Sequence, residues 1–231
     1  MAKIALCVIA TNAYIDFTWS LLRSADKYFL QGHDVEYHLF TNKRFIGVTD
    51  LRQTYNHLIQ HEPWPAMTLK RYHIMSGANL SGYDYVYYID ADMRFVAPVG
   101  DEIFGELVGV QHPGFYRVGG SWEDNQASQA FVYTRMRKQY IAGGFQGGSD
   151  YCMVMPFLMH MIDEDEKTGN RAKWSDESHW NALFAYSPNK FKILDPSYCM
   201  VEEPEKRKAW GIDHLEPKII ALSKDHKKYQ K

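Results

Sequence analysis

Ile4 to Ile9 is an unbroken apolar run of strand length, and the polar pair Thr11-Asn12 closes it off. Beyond it Ile15, Trp19, Leu22 and Phe29 recur at helical spacing, with Gly32 placed where a helix would stop. Val35 to Thr41 then predicts a second strand. Strand, helix and strand in succession form the βαβ unit of a mostly parallel sheet covered by helices, so the expected class is α/β. Met67 to Ala78 predicts another helix. Tyr83 to Ile89, rich in Tyr and Val and bounded by Ser81-Gly82 and Asp90, predicts a third strand. The stretches Gly119 to Asn125 and Asp163 to Asn170 read as loops, neither long enough to divide the chain, and residues 1–231 are expected to form one domain.

Charge and composition narrow the function. The 231 residues carry 26 Lys and Arg against 28 Asp and Glu, a balance that disfavours a general nucleic-acid binder. A hydrophobic fraction of 45% suits a globular domain with a sizeable core. No apolar run is long enough for a membrane span and the N-terminus lacks a signal-peptide layout, so a cytoplasmic location is expected. Cys7, Cys152 and Cys199 are far apart and odd in number, which predicts buried free thiols in a reducing compartment rather than a zinc site. After residue 217 the chain turns basic, with Lys218, Lys224, Lys227, Lys228 and Lys231 against Asp225. Such a tail is either a solvated terminus or a closing element for an anion.

Chemistry concentrates in a few segments. Asp90 and Asp92, with Ala91 between them, stand at the end of the apolar third strand, where ligands of open α/β sheets bind. Two neighbouring carboxylates there suit a hard divalent cation that keeps coordination positions for diphosphate oxygens, or else they cap the next turn. A second Asp-x-Asp, Asp163-Glu164-Asp165, sits in a polar charge run and reads as a solvated face. In Trp174-Ser175-Asp176-Glu177-Ser178-His179, Asp176 is placed as a helix N-cap and Glu177 in the first turn, where the helix dipole favours the ionised form. An ionised carboxylate can stabilise an oxocarbenium ion or attack a sugar carbon. Ala142-Gly143-Gly144-Phe145-Gln146-Gly147-Gly148 allows close backbone approach to a ligand or a bulged turn, without the spacing of a P-loop. His112-Pro113-Gly114-Phe115-Tyr116 joins an imidazole to rings that suit the C–H face of a sugar.

In their order and spacing these segments resemble glycosyltransferase family 6, the family of the histo-blood-group A and B transferases and the α-1,3-galactosyltransferases. Ala25-Asp26-Lys27-Tyr28-Phe29 with Gly32-His33, Asp90-Ala91-Asp92-Met93, the His112 turn, Gly143-Gly144 with Gly147-Gly148, and Trp174 with Asp176-Glu177-Ser178-His179 carry the resemblance, which runs from about Ile4 to His226. It implies a GT-A fold, with a nucleotide-sugar half (about 1–95) continuous with an acceptor half (about 96–217) and a basic tail (218–231). It also implies Mn²⁺, or another divalent cation, on Asp90 and Asp92. The resemblance places Ile9, Thr11 and Tyr14 at uracil and ribose, Trp64 and Arg71 on the donor side, and Lys224 at the diphosphate. His112, Trp174 and Glu177 fall at the acceptor galactose, Glu177 also at the anomeric carbon, and Asp176 at the donor-sugar hydroxyls. Ala142 and Gly144, flanking Gly143, match the positions that separate N-acetylgalactosamine users from galactose users. Ile9 replaces the aromatic residue common in vertebrate members, and Ser175 replaces the His usual before Asp176-Glu177. A membrane anchor and stem like those of vertebrate members are not expected, so the chain resembles the short microbial members, and it keeps the Asp-x-Asp.

The implied activity is retaining transfer of N-acetylgalactosamine, or secondarily galactose, from a UDP-sugar to the 3-hydroxyl of a terminal β-galactoside of an oligosaccharide. A non-catalytic sugar or nucleotide-sugar binder on the same fold is the rival. A haloacid-dehalogenase phosphatase fits poorly, because Arg94 stands where that pattern expects Thr or Val.

Overall fold

A computed structural model describes residues 1–44 and 51–225, so His226, Lys227, Lys228 and Lys231 of the basic tail lie outside the described residues. In chain order the elements are β1 (Lys3–Ile9), α1 (Ile15–Tyr28), β2 (Asp34–Thr41), β3 (Thr54–Leu58), α2 (Ala66–Leu69), α3 (Arg71–Ser76), β4 (Tyr85–Ile89) and β5 (Met93–Phe95). They continue with β6 (Leu107–Gln111), β7 (Ile141–Gly148), α4 (Tyr151–Thr168), α5 (Ser175–Tyr186), β8 (Phe191–Leu194), β9 (Met200–Val201), α6 (Pro204–Ala209) and β10 (Ile219–Ala221). Seven strands form one sheet in the order β3-β2-β1-β4-β7-β6-β8, and β5, β10 and β9 form a small second sheet. β3, β2, β1 and β4 are mutually parallel, whereas β7 runs antiparallel to both β4 and β6. The result is the mostly parallel, helix-flanked α/β architecture expected of a GT-A fold.

Alternation along the strands builds two apolar layers. Ile4, Leu6 and Val8 of β1 face one way and pack with Leu21 and Leu22 of α1, Phe29, Tyr87 and Phe145. Ala5 and Cys7 face the other way, toward Tyr72 and Met75 of α3, Leu158 of α4 and Trp180 of α5. Trp180 is fully buried between Tyr151 and Phe191, with ring centroids at 5.8 and 4.9 Å. Cys7 and Cys199 are buried, Cys152 is partly buried, and all three are free, as the cysteine spacing predicts. Among the described residues no helix is long and apolar enough to cross a membrane.

Several elements differ from the sequence-based expectation for identifiable reasons. The helix expected over Met67 to Ala78 is two short helices that meet at Lys70. The loop expected over Asp163 to Asn170 is mostly helix: α4 runs to Thr168 and stops at left-handed Gly169. Asp165 is buried rather than part of a solvated face, because its carboxylate accepts hydrogen bonds from Ser128 and from the Gln129 amide. The glycine-rich segment is neither a loop nor a turn but the interior strand β7, with a register shift against β6 between Val108 and Val110. Glycine is needed there for packing: a Cβ on Gly147 would stand 2.4 Å from the Tyr87 ring and from the Val86 carbonyl oxygen. The tail enters as β10, and the chain continues across the end of the main sheet, where the Leu222 amide donates to the Asp92 carbonyl.

Because Val86 and Tyr87 are themselves interior strand residues, the Gly147 contact has little freedom to relax. We expect Gly147→Ala to lower the free energy of unfolding by on the order of 3 kcal/mol, measured by chemical denaturation.

Candidate active site

The parallel strands deliver their carboxyl ends to one edge, and antiparallel β7 brings its amino end to the same place. Ile89 pairs with Phe145, so the next residue along, Asp90, meets Gly144 and its amide donates to the Gly144 carbonyl at 2.9 Å. Arg71, the first residue of α3, reaches this junction with a side chain only 3% exposed. One guanidinium nitrogen donates to the Gly143 carbonyl at 2.6 Å and lies 3.0 Å from Asp176 Oδ2. The other approaches Asp90 Oδ1 at 3.4 Å, and the guanidinium carbon stands 4.0 Å over the Tyr88 ring. Tyr88 in turn donates its hydroxyl to Asp90 Oδ1 at 2.7 Å. A single cation thus joins the strand-end carboxylate, the β7 backbone and the acidic start of α5.

α5 is almost entirely buried although its first half is polar, and each of several polar groups there has a set partner. Asn181 donates to the Ile141 carbonyl and accepts from the Ile141 amide, at 2.7 and 2.8 Å, which fastens the helix to β7. The helix starts at Ser175, two residues earlier than the N-cap reading of Asp176 requires, and Trp174 holds the cap position. Asp176 lies in the first turn, 2% exposed, and uses its carboxylate on Arg71 instead of capping. Glu177 is also in the first turn, as expected, and accepts from the Gly143 amide at 2.8 Å. The expectation that the helix dipole keeps it ionised meets a stronger opposing effect. Burial pushes its carboxyl up to about 7, against the Gly143 amide and the nearby Tyr140 hydroxyl, which favour the ionised form. Burial likewise pushes Asp176 up to about 6, held back by Arg71.

A cleft of about 250 Å³ opens above the strand ends. Ile9, Thr11, Tyr14, Trp64, Asp90, Ala91, Asp92 and Lys224 line it, together with His61, Glu62, Met67, Thr68 and Tyr88. His61 Nδ1 is 2.8 Å from the Thr11 hydroxyl. Asp92 is bonded by Lys224, whose ammonium also stands 4.7 Å over the Tyr14 ring. Burial, and then the neighbouring Asp90, raise the Asp92 carboxyl above its ordinary range, and Lys224 opposes the rise.

Gly143 and Gly144 form the wall between this cleft and Glu177: a Cβ on Gly144 would meet Asp90 Oδ2 at 3.2 Å, and one on Gly143 would meet Glu177 Oε2 at 3.3 Å. Ala142, on the same face of β7 as Gly144, is buried in the apolar layer that also holds Met93, Val110 and Leu194. His112 and Trp174 lie away from the cleft. His112 Nδ1 accepts from the Gly114 amide at 3.1 Å, and its ring stands edge to face with Tyr140 at 5.9 Å. Burial lowers the His112 ring to about 4, so at neutral pH its one ring proton sits on Nε2, ready to donate. Trp174 is 50% exposed beside Glu177, whose amide donates to the Trp174 carbonyl.

The family model described as Glycosyltransferase family 6 matches residues 1–230. The chain belongs to glycosyltransferase family 6. It is 29% identical to histo-blood group ABO system transferase 1 of Rattus norvegicus, over 96% of this chain and 67% of the relative. It is 33% identical to globoside alpha-1,3-N-acetylgalactosaminyltransferase 1 of Canis lupus familiaris, over 84% of this chain and 60% of the relative. With human alpha-1,3-galactosyltransferase 2 the identity is 25%, over 85% of this chain and 62% of the relative. The chain therefore spans about 60 to 67% of the length of these relatives.

Within this family 6 chain, sequence reading missed His61, Tyr88, Tyr140 and Asn181. No local pattern marks them: His61, Tyr140 and Asn181 act through partners distant in sequence, and Tyr88, which bonds Asp90 two residues on, reads as one more apolar residue of its strand. Gln146 is similar: it donates to the Gly143 carbonyl at 3.0 Å while accepting from Tyr72.

The raised carboxyl of Glu177 has a signed consequence. The unfolded chain loses this proton near the ordinary value of 4.5, the folded protein near 7, so the associated stability is present below about 4.5 and lost as pH rises through 7. We expect Glu177→Gln to match the parent in stability near pH 4 and to exceed it by pH 8. Asp176 leaves a smaller slope in both proteins, between its ordinary 3.8 and about 6. Denaturant unfolding across that pH range measures it.

Proposed function

We propose that this chain is a retaining glycosyltransferase that moves N-acetylgalactosamine, or secondarily galactose, from a UDP-sugar to the 3-hydroxyl of a terminal β-galactoside, forming an α-1,3 bond. The observation that carries the reading is the junction at Arg71. It holds Asp90 at the nucleotide cleft and Asp176 at the start of α5, and Glu177 lies on the Gly143 amide between that cleft and the His112 and Trp174 side. The activities for which two of the relatives are named, α-1,3 transfer of N-acetylgalactosamine or galactose, agree with it.

Ile9, Thr11 and Tyr14 would take uracil and ribose, and Trp64, 57% exposed at the rim, would close over them. The strand end fits a divalent cation of Mn²⁺ type. Asp90 and Asp92 are hard oxygen donors on one wall of the cleft, desolvation already disfavours the Asp92 charge, and Lys224 serves as its counter-cation. Among the described residues no three His, Cys, Asp or Glu side chains gather as a closed cage, so such an ion would share its shell with diphosphate oxygens. When bound, it supplies positive charge to the departing diphosphate. Lys224 supplies further charge at the same place, and Arg71 keeps Asp90 oriented.

Asp176, with Oδ2 lacking a hydrogen-bond partner despite its ion pair, would accept from a hydroxyl of the donor sugar. Glu177, ionised above about 7, would offer its carboxylate to the positive charge that develops at the anomeric carbon. His112, donating from Nε2, and Trp174, offering a ring face, would receive the acceptor galactose. A non-catalytic binder needs neither a carboxylate pair at a diphosphate nor a desolvated carboxylate beside the sugar, and so accounts for fewer of these features. The free thiols suit a reducing, cytoplasmic setting.

The direct test is UDP release from UDP-N-acetylgalactosamine and UDP-galactose with a lactose-type acceptor, with and without Mn²⁺. Activity should require the metal. Glu177→Gln should lower kcat by on the order of 10²-fold while donor KM changes little, and a raised acceptor KM at normal kcat would return Glu177 to a binding role. The parent should prefer UDP-N-acetylgalactosamine. Gly144→Ala, crowding Asp90 and Met93 beside the sugar, should move the ratio of the two kcat/KM values toward galactose by about tenfold.

A further inference from the structure

Asp165 lies within the acidic run Asp163-Glu164-Asp165-Glu166 of α4, yet it is 1% exposed and faces inward. Its Oδ2 accepts from the Ser128 hydroxyl at 2.6 Å and from His179 Nε2 at 3.0 Å, and its Oδ1 accepts from the Gln129 amide at 2.7 Å. The other ring nitrogen of His179, Nδ1, lies 3.0 Å from the Ser175 carbonyl oxygen. The ring nitrogens therefore face an acceptor oxygen on each side, Asp165 at Nε2 and the Ser175 carbonyl at Nδ1. That carbonyl belongs to the peptide joining Ser175 to Asp176. Ser175 has φ 51°, a left-handed backbone unfavourable for a residue with a side chain, so something must hold it. The next two residues are Asp176, on Arg71, and Glu177, on the Gly143 amide.

We propose that Asp165 and His179 are positioning residues for the transfer reaction: anchored by Ser128 and Gln129, Asp165 aims the His179 ring at the Ser175 carbonyl, which locks the left-handed turn that delivers Asp176 and Glu177 to the site. The proposal rests on the reading of Glu177 as the carboxylate beside the anomeric carbon. Neither residue lines the nucleotide cleft, so their loss should misplace the chemistry without weakening the nucleotide.

The test compares kcat for UDP-sugar transfer with the Kd of UDP in the presence of Mn²⁺, measured by calorimetry. Folded Asp165→Asn and His179→Gln proteins should lose at least about tenfold in kcat and keep the UDP Kd within about threefold. Adding Ser175→Gly to His179→Gln should recover part of the lost kcat, because glycine adopts the left-handed turn without the strut. Parental kcat in either folded variant overturns the proposal, as does a joint fall in kcat and UDP affinity that Ser175→Gly fails to relieve. Should both variants fail to fold, Ser128→Ala decides. It removes one anchor and leaves Asp165 and His179 in place, so a smaller, severalfold fall in kcat supports the strut and parental kcat overturns it. Parental kcat in Glu177→Gln would instead remove the reading beneath the proposal, which the UDP comparison among the other variants keeps distinguishable.

Discussion

The site depends on one buried cation. Arg71 is almost completely shielded from water, and such a charge is tolerated only where acceptors surround it. Here they come from three parts of the chain: Asp90 from the end of β4, the Gly143 carbonyl from β7, and Asp176 from α5. Satisfying one guanidinium fixes the relative positions of all three. Removing a partner from such a buried pair costs roughly 3–5 kcal/mol, which makes the junction cooperative rather than a sum of separate contacts. A lysine could not replace it, since an ammonium lacks the planar fork that reaches two groups at once and the flat face that lies on Tyr88.

Around that cation the carboxylates are graded by their surroundings. Asp176 and Glu177 are desolvated and raised to about 6 and about 7, while Asp92 is raised by burial and by Asp90 yet bonded by Lys224 from the tail. Four carboxylates here meet two cations, Arg71 and Lys224, so the site favours whatever brings further positive charge, as an oxocarbenium-like sugar or a cation-bound diphosphate would. The antiparallel β7 makes the arrangement possible. Its bare glycine backbone separates the cleft from Glu177 by a single strand, with an amide and a carbonyl of Gly143 turned to Glu177 and Arg71 respectively.

Much of this was legible in the chain, and the remainder fails for physical reasons. The apolar runs of β1 and β4 predict their strands because a buried parallel strand has no polar face to interrupt the pattern, while β2 is legible from Val35, Tyr37 and Leu39 alternating with Glu36 and His38. The Asp90-Asp92 pair is legible because it terminates such a run. β7 misleads because packing against Tyr87 selects glycine, and glycine in sequence signals a turn. Asp165 misleads because a charged residue in a charged run looks solvated until Ser128, Gln129 and His179 converge on it. Asp176 looks like an N-cap because short acids usually are one, and only the distant Arg71 redirects it. The nucleotide-side residues Ile9, Thr11, Tyr14 and Trp64 were supplied by the family resemblance, and the cleft brings them together with His61, which no pattern marked.

The central claim is that the Arg71 guanidinium unites nucleotide binding and sugar chemistry in one site. Arg71→Lys keeps the charge and removes the fork, so transfer kcat and calorimetric UDP affinity measured on that variant test the claim directly. We expect a folded protein, by cooperative unfolding, in which both quantities fall by about tenfold or more. Parental kcat and parental UDP affinity in folded Arg71→Lys would contradict it.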